Sequence, residues 1–328
     1  MHQIRLLSQS DMAGILDISD VINVIEEGFR KVVSDDDLPD RTSLQISKQP
    51  GVALLMPAYL SDLNILGVKI VSVFPNNISL GYPMVTGFYV LCDSMTGQLM
   101  ALMEGKYLTG IRTAAASAVA TKILAREDAK ILGVIGTGVQ GRFHVDAIRS
   151  VRKIEKVVVY SRTPEKRQKF ANELETAGII CQQVEHVSQC TAEADILAVC
   201  TSSKKPVFDG NLIRPGTHIN AVGAFTPDTR ELDTNLIQKA QVYVDTYAGA
   251  FKEAGDILIP FRSKKIQKGH IQAELSELIS GKKKGRTHPE EITVFKSVGY
   301  AMEDAVVAKF AYDQANAANI GCVFDIDS

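Results

Sequence analysis

Residues 131–144 read ILGVIGTGVQGRFH. The apolar run Ile131-Leu132-Gly133-Val134-Ile135 has the composition of a buried parallel strand, and Gly136-Thr137-Gly138-Val139-Gln140-Gly141 reads as a tight turn that opens a helix. Such a turn aims free backbone N–H groups, and the positive end of a helix dipole, at a pyrophosphate. Gly136 permits the turn, Gly138 lets the backbone approach the phosphates, and Gly141 lets the helix sit close to the strand. A glycine pattern alone is weak. Here Phe143, Val145, Ala147, Ile148 and Val151 continue a helical pattern, and Lys156-Val157-Val158-Val159-Tyr160 supplies a second strand at βαβ spacing.

Outward from this unit, strands near 131–135, 156–160, 195–200, 217–222 and 241–244 alternate with helices. That alternation predicts an α/β fold, a doubly wound Rossmann-type parallel sheet. A further helical region with loops covers roughly 248–285, and a last helix runs from near Val298 to about Asn319. Upstream the texture differs. A short strand over residues 3–7 precedes an amphipathic helix from Ser19, with Val21, Ile22, Val24, Ile25 and Phe29 as its apolar stripe. A loop over 34–39 leads to strands at 52–56, 66–73, 86–92 and 98–104, separated by turn residues. An alanine-rich helix over 107–120, with Thr109 as its cap, follows. The last helix is apolar on one face and needs a surface to cover, and residues 1–120 offer one. The expected organisation is therefore a second, α+β substrate and dimerisation domain built from both chain ends, residues 1–122 and 299–328, around a dinucleotide-binding domain at 123–298.

The bulk composition narrows the function classes. In 328 residues, 45% are hydrophobic and 23% charged, ordinary for a globular protein, and the net charge of -2 gives no general attraction to nucleic acid or anionic membrane. The cysteines, Cys92, Cys181, Cys190, Cys200 and Cys322, form no CxxC pair, and the histidines show no ligand spacing, so neither a disulfide framework nor a metal site is expected. No charged leader with an apolar core and no membrane-length apolar run is evident, which makes the cytoplasm the expected location.

Cofactor choice is written at the tip of the second strand. Sites that prefer NAD carry an acid there for the ribose hydroxyls. This chain has Tyr160-Ser161-Arg162-Thr163-Pro164-Glu165-Lys166, two hydroxyls and a guanidinium with Lys166 a turn further on. A guanidinium forms forked, charge-assisted bonds to phosphate, so NADPH is expected over NADH, with NADH still possible.

With these segments in order, the chain resembles the ornithine cyclodeaminase/mu-crystallin family from about residue 39 to 310. The specific pieces are Gly67-Val68-Lys69-Ile70-Val71, Leu108-Thr109-Gly110-Ile111-Arg112-Thr113-Ala114-Ala115, the glycine loop through His144, Gly255-Asp256-Ile257-Leu258 and Phe295-Lys296-Ser297-Val298-Gly299. The resemblance implies a homodimer that interconverts imino or keto acids with amino acids by hydride transfer. It implies that Arg41 binds the substrate carboxylate, that Lys69 is the active-site lysine, and that Arg112 and Thr113 lie between the cofactor phosphates and the substrate. Thr201 and Ser202 follow the third strand of the nucleotide sheet and Val222 and Gly223 lie at the end of the fourth, where cofactor contacts gather; Ser297 and Gly299 are expected to line the nicotinamide side. His144 reads as a helix-start residue rather than an acid. Asp228 reads as a cap of the next helical turn, paired with Arg230.

Departures from the cyclodeaminase pattern sharpen the expected chemistry. Phe225 stands where that branch has an acid after the fourth strand, and Leu54 stands where it has a glutamate for the distal amine. A cavity stripped of the carboxylates for ammonia elimination does not suit ornithine, and Phe225-Thr226-Pro227-Asp228-Thr229-Arg230-Glu231-Leu232 resembles the ketimine reductase members of the family, which implies reduction of a cyclic α-imino acid, Δ1-pyrroline-2-carboxylate or Δ1-piperideine-2-carboxylate. Arg41 and Arg112 would hold the carboxylate, and Lys69 would supply the proton. An amino-acid or opine-type dehydrogenase, an ornithine cyclodeaminase and a non-enzymatic ligand-binding protein of the mu-crystallin type stay open at this point.

Overall fold

A computed structural model describes residues 3–31 and 38–327. Of the loop expected over 34–39, residues 34–37 lie outside the described residues. Along the chain come β1 (Gln3–Leu7), α1 (Gln9–Ile15), α2 (Ile18–Lys31), β2 (Thr42–Ile46), β3 (Gly51–Leu60), β4 (Ile65–Val73), β5 (Val85–Asp93), β6 (Leu99–Glu104) and α3 (Gly105–Leu124). Next are β7 (Ile131–Ile135), α4 (Val139–Val151), β8 (Lys156–Tyr160), α5 (Pro164–Thr176), β9 (Cys181–Gln183), α6 (Val187–Glu193), β10 (Ile196–Val199), β11 (His218–Ala221), α7 (Thr234–Lys239) and β12 (Gln241–Val244). The chain continues through α8 (Tyr247–Glu253), α9 (Gly255–Arg262), β13 (Ile271–Glu274), α10 (Leu275–Ile279), β14 (Thr293–Lys296), α11 (Ala301–Ala318) and β15 (Cys322–Asp325). Two compact units result. One takes the described residues up to Arg112 together with those from Ala301 on; the other is Thr113–Tyr300.

In the first unit a seven-stranded sheet has the order β15-β1-β6-β5-β4-β3-β2. Its β2-to-β6 run is antiparallel throughout, as the turn-punctuated sequence predicts. Helix α11 lies on α1, α2 and strands β3 to β5, and its apolar face is thereby covered. Helix α2 comes close at Gly28, where a Cβ would meet the Met302 sulfur at 2.7 Å. Helix α3 starts earlier than its sequence suggested. The Glu104 carboxylate accepts from the Lys106 and Tyr107 N–H groups and caps it, so Thr109 sits inside the helix and not at its start.

The second unit carries an eight-stranded sheet, order β13-β12-β14-β11-β10-β7-β8-β9, parallel at every pairing. Chain order reverses between β7 and β10, the switch point where such sheets bind ligands. The apolar runs are strands because both faces are covered: β10 is buried at every residue, β7 at all but Ile131, and β8 at Val157, Val158 and Val159. Three strands are additional to the sequence reading: β9 and β13 at the two edges, and β14 in the interior of the sheet, between β12 and β11. The register sets Ile135, Val199, Ala221, Lys296 and Val244 at one edge, so the residues that follow them gather there.

Candidate active site

The second unit first. Gly136 has φ 108°, a conformation that favours glycine, and its N–H reaches the Tyr160 carbonyl at 3.0 Å. A Cβ at Gly141 would strike the Gly136 carbonyl oxygen, so only glycine lets α4 begin this close to β7. At Gly138, the N-cap of α4, a Cβ would meet nothing within 4 Å, and no side chain caps the helix. A helix start with no side-chain cap, and with room around Gly138, suits a pyrophosphate, so the loop fits a dinucleotide. Val139 at the helix start is exposed. Past β8, Arg162, Thr163 and Lys166 are exposed and Ser161 half-buried; the Arg167 guanidinium donates to the Ser161 carbonyl at 3.1 Å and fixes the turn.

His144 is buried in α4, with Nε2 at 2.9 Å from the Ser117 hydroxyl of α3 and Nδ1 at 2.8 Å from the Gln140 carbonyl. Burial pushes its pKa down to about 4. A neutral ring tying two helices fits the structural role read from its position. Ser297 is buried too and donates to Asp245 at 3.1 Å, while the Val298 and Gly299 N–H groups donate to the same carboxylate. Thr201, Ser202, Val222 and Gly223 follow β10 and β11 at the ligand edge of the sheet, half-buried except for exposed Ser202. Asp228 corrects its reading. It lies exposed at 3.6 Å from Arg262, not on Arg230, and the helix after it, α7, is capped by Asp233. Arg230 instead donates to the Thr234 hydroxyl.

The first unit holds a buried charge cluster. Lys69 lies in β4, opposite Tyr89 of β5 and Met56 of β3, on the face covered by α11. It is 2% exposed, and its ammonium donates to Asp304 at 2.7 Å. Arg112, 5% exposed, sends Nε to Asp304 at 3.0 Å and Nη1 to Glu303 at 2.6 Å. Two cations and two carboxylates therefore neutralise one another away from water, the arrangement a buried charge requires. Burial opposes the Arg112 charge, but Asp304 and Glu303 outweigh it and raise its pKa. For Lys69, burial and then the Arg112 charge outweigh Asp304 and bring the pKa down to about 8; Arg41 adds to the depression. Gly67 makes room beside the lysine, since a Cβ there would meet the Tyr89 hydroxyl at 2.5 Å. Leu54 shares the sheet face of Lys69, as pairing with Val71 requires. Arg41 is half-buried, and Thr113, where α3 enters the second unit, is buried.

Glu303 and Asp304 were missed by sequence reasoning. Their signal was two consecutive acids within the buried run Ala301–Ala308. They also correct the picture of a cavity stripped of carboxylates. Acids are present, but each is committed to Arg112 or Lys69 and not free to deprotonate a substrate amine. Among the described residues no group of three or more His, Cys, Asp or Glu could hold a metal, and no helix is long and apolar enough to cross a membrane.

A parallel sheet with a glycine loop at its switch point in one unit, and a buried lysine–arginine pair in the other, define a two-unit dinucleotide-binding chain. More narrowly, the chain belongs to the ornithine cyclodeaminase/mu-crystallin family, whose model matches residues 3–319. It is 44% identical over 285 residues, 86% of this chain and 87% of the other, to a Delta(1)-pyrroline-2-carboxylate reductase of Bacillus cereus. Among solved structures it resembles the Delta(1)-pyrroline-2-carboxylate reductase of Thermococcus litoralis in complex with NADH and L-proline. There the TM-score is 0.93 and the identity 44%, covering 97% of this chain and 99% of that one. An archaeal alanine dehydrogenase dimer with bound NAD follows, at TM-score 0.91 and 32% identity over 99% of each chain.

Proposed function

We propose that this chain is an NAD(P)H-dependent oxidoreductase that reduces the C=N bond of a cyclic α-imino acid, Δ1-pyrroline-2-carboxylate or Δ1-piperideine-2-carboxylate, to proline or pipecolate. The observation that carries this is the charge-balanced cluster of Lys69, Arg112, Glu303 and Asp304, together with its likeness to a reductase that binds NADH and L-proline. A bound nicotinamide supplies the hydride. Arg112, held by two carboxylates along Nε and Nη1, keeps its remaining N–H groups for the substrate carboxylate, and Arg41 completes the grip. Lys69 gives its proton to the ring nitrogen; a pKa of about 8 leaves it charged at neutral pH yet able to let go. One hydride and one proton convert the imine to the amine. Exposed Phe225 and apolar Leu54 offer nothing to hold or deprotonate a distal amine, which argues against ornithine.

The glycine loop and the residues after β8, β10, β11 and β14 make up the cofactor side of the reading. Exposed Arg162 and Lys166, with no acid at the tip of β8, favour NADPH over NADH. Arg162→Ala should narrow the gap between the two cofactors' Kd values; an unchanged ratio removes the preference. The first unit also supports a homodimer. Opposite its helices the sheet exposes Leu44, Ile46, Tyr59 and Phe88 on one face, an apolar surface suited to a second copy. Steady-state kinetics test the chemistry. With pyrroline-2-carboxylate, Arg41→Ala should raise KM strongly, and Lys69→Ala should cut kcat by about 10²–10⁴-fold. Full turnover in Lys69→Ala rejects the proton role.

A further inference from the structure

One carboxylate in the second unit joins two loops and is used by nothing above. Glu231 is fully buried. Its Oε1 accepts the Thr201 N–H at 2.6 Å, just after β10. Its Oε2 accepts the Gly223 N–H at 2.6 Å and the Ala224 N–H at 3.3 Å, just after β11. The side chain is itself held from below. The Glu231 and Leu232 N–H groups both donate to Asp256 Oδ1 at 2.8 Å, and Asp256 Oδ2 lies 3.0 Å from the ammonium of buried Lys296, the last residue of β14. Gly223 is required for this approach, since a Cβ there would meet Glu231 Oε1 at 2.5 Å and the Thr201 nitrogen at 2.6 Å. Three strand ends, β10, β11 and β14, are thus tied through two buried acids, Glu231 to the first two and Asp256 to the third, and two carboxylates against one ammonium leave an excess negative charge that the donated N–H groups offset.

We propose that Glu231 is a positioning residue for the dinucleotide, its ionised carboxylate fixing the separation of the backbone after β10 from that after β11 so that both meet the cofactor together. This rests on the reading that Thr201, Ser202, Val222 and Gly223 contact the dinucleotide. The charged or titratable groups facing Glu231 are Asp256 of α9, Lys296 of β14 and the Cys200 thiol after β10. Burial raises the Glu231 carboxyl to about 7, with Lys296 opposing the rise and Asp256 adding to it. A proton there turns one acceptor oxygen into a hydroxyl, and one of the two loops loses its anchor.

Fluorescence titration of the full chain with NADH from pH 5.5 to 8.5 tests this, because NADH has no group of its own titrating in that range. Wild type should bind about tenfold more weakly at the acid end, the scale of one charge-assisted hydrogen bond. Glu231→Gln should show the weakened Kd at every pH, with no pH dependence and with the KM for the imino acid at saturating cofactor unchanged. Lys296→Met should move the midpoint of the profile to higher pH. A merely structural acid would lower Tm in Glu231→Gln and leave Kd and its profile as in wild type; that result overturns the proposal. Should Glu231→Gln fail to fold, the wild-type profile decides alone, and a flat Kd rejects the role. Failure of wild type to bind either NADH or NADPH would instead sink the cofactor reading itself.

Discussion

Replacing Asp304 with asparagine removes the carboxylate shared by Lys69 and Arg112 while keeping the side chain's size. Its oxygens lie 2.7 Å from the Lys69 ammonium and 3.0 Å from Arg112 Nε, with all three side chains nearly out of contact with water. At an effective dielectric of about 20, Coulomb's law gives about 6 kcal/mol for a contact at the shorter distance, before the penalty for taking the charges out of water. Breaking a buried pair from one side, which strands the opposite charge, costs about 3–5 kcal/mol. In a unit of this size that is a fall in Tm of about 10 °C. The lysine should respond as well. Asp304 is what raises its proton affinity against burial and Arg112, so its pKa should drop further below about 8 in the variant. Denaturant unfolding of Asp304→Asn, Lys69→Met and the double variant completes the cycle, and the double variant should be less destabilised than the two single losses summed. Strict additivity, or a loss below about 1 kcal/mol in Asp304→Asn, refutes the pairing as the source of the site's order.

Three other outcomes follow from the same structure. Lys69 has its folded pKa lowered from 10.5 to about 8, so its proton is present below pH 8 and lost above it. The rate of imine reduction should therefore fall above pH 8, and Lys69→Arg should carry that limb out of range. Because the unfolded chain keeps the proton up to about 10.5, this group's contribution makes folding stability rise from pH 8 to 10.5, a sign that urea midpoints can check. Gly141→Ala drives a Cβ against the Gly136 carbonyl, and calorimetry should find NADH binding abolished while the first unit's thermal transition stays in place. Phe88→Asp on the exposed sheet face should turn a dimer into monomer on size-exclusion chromatography with light scattering.

The nucleotide sheet was legible because strands buried on both faces appear as continuous apolar runs, and because glycine spacing marks the first turn. β14 was not, since four residues directly ahead of a helix carry no periodicity of their own and their partners, β11 and β12, are distant in sequence. Short outer strands such as β9, β13 and β15 escaped because so few residues carry no periodicity of their own. At the site, Lys69 and Arg112 were found through the family segments, and the near-complete burial of Lys69 follows from α11 covering β4. The acids that answer them were hidden in a helix read only for its apolar face. Lys296, Asp256 and Glu231 repeat the lesson: a charge inside an apolar run points to a buried partner elsewhere in the chain. Thr109 and Asp228 failed as caps because carboxylates at Glu104 and Asp233 stood nearer the actual helix starts.

The most direct test of the account is the oxidation of reduced nicotinamide by one enzyme preparation offered pyrroline-2-carboxylate, piperideine-2-carboxylate, and pyruvate with ammonia, with proline formation from L-ornithine measured alongside. The account predicts the highest kcat/KM with a cyclic imino acid and no appreciable proline from ornithine. Efficient conversion of ornithine to proline, or turnover of pyruvate with ammonia above that of either cyclic imine, would contradict it.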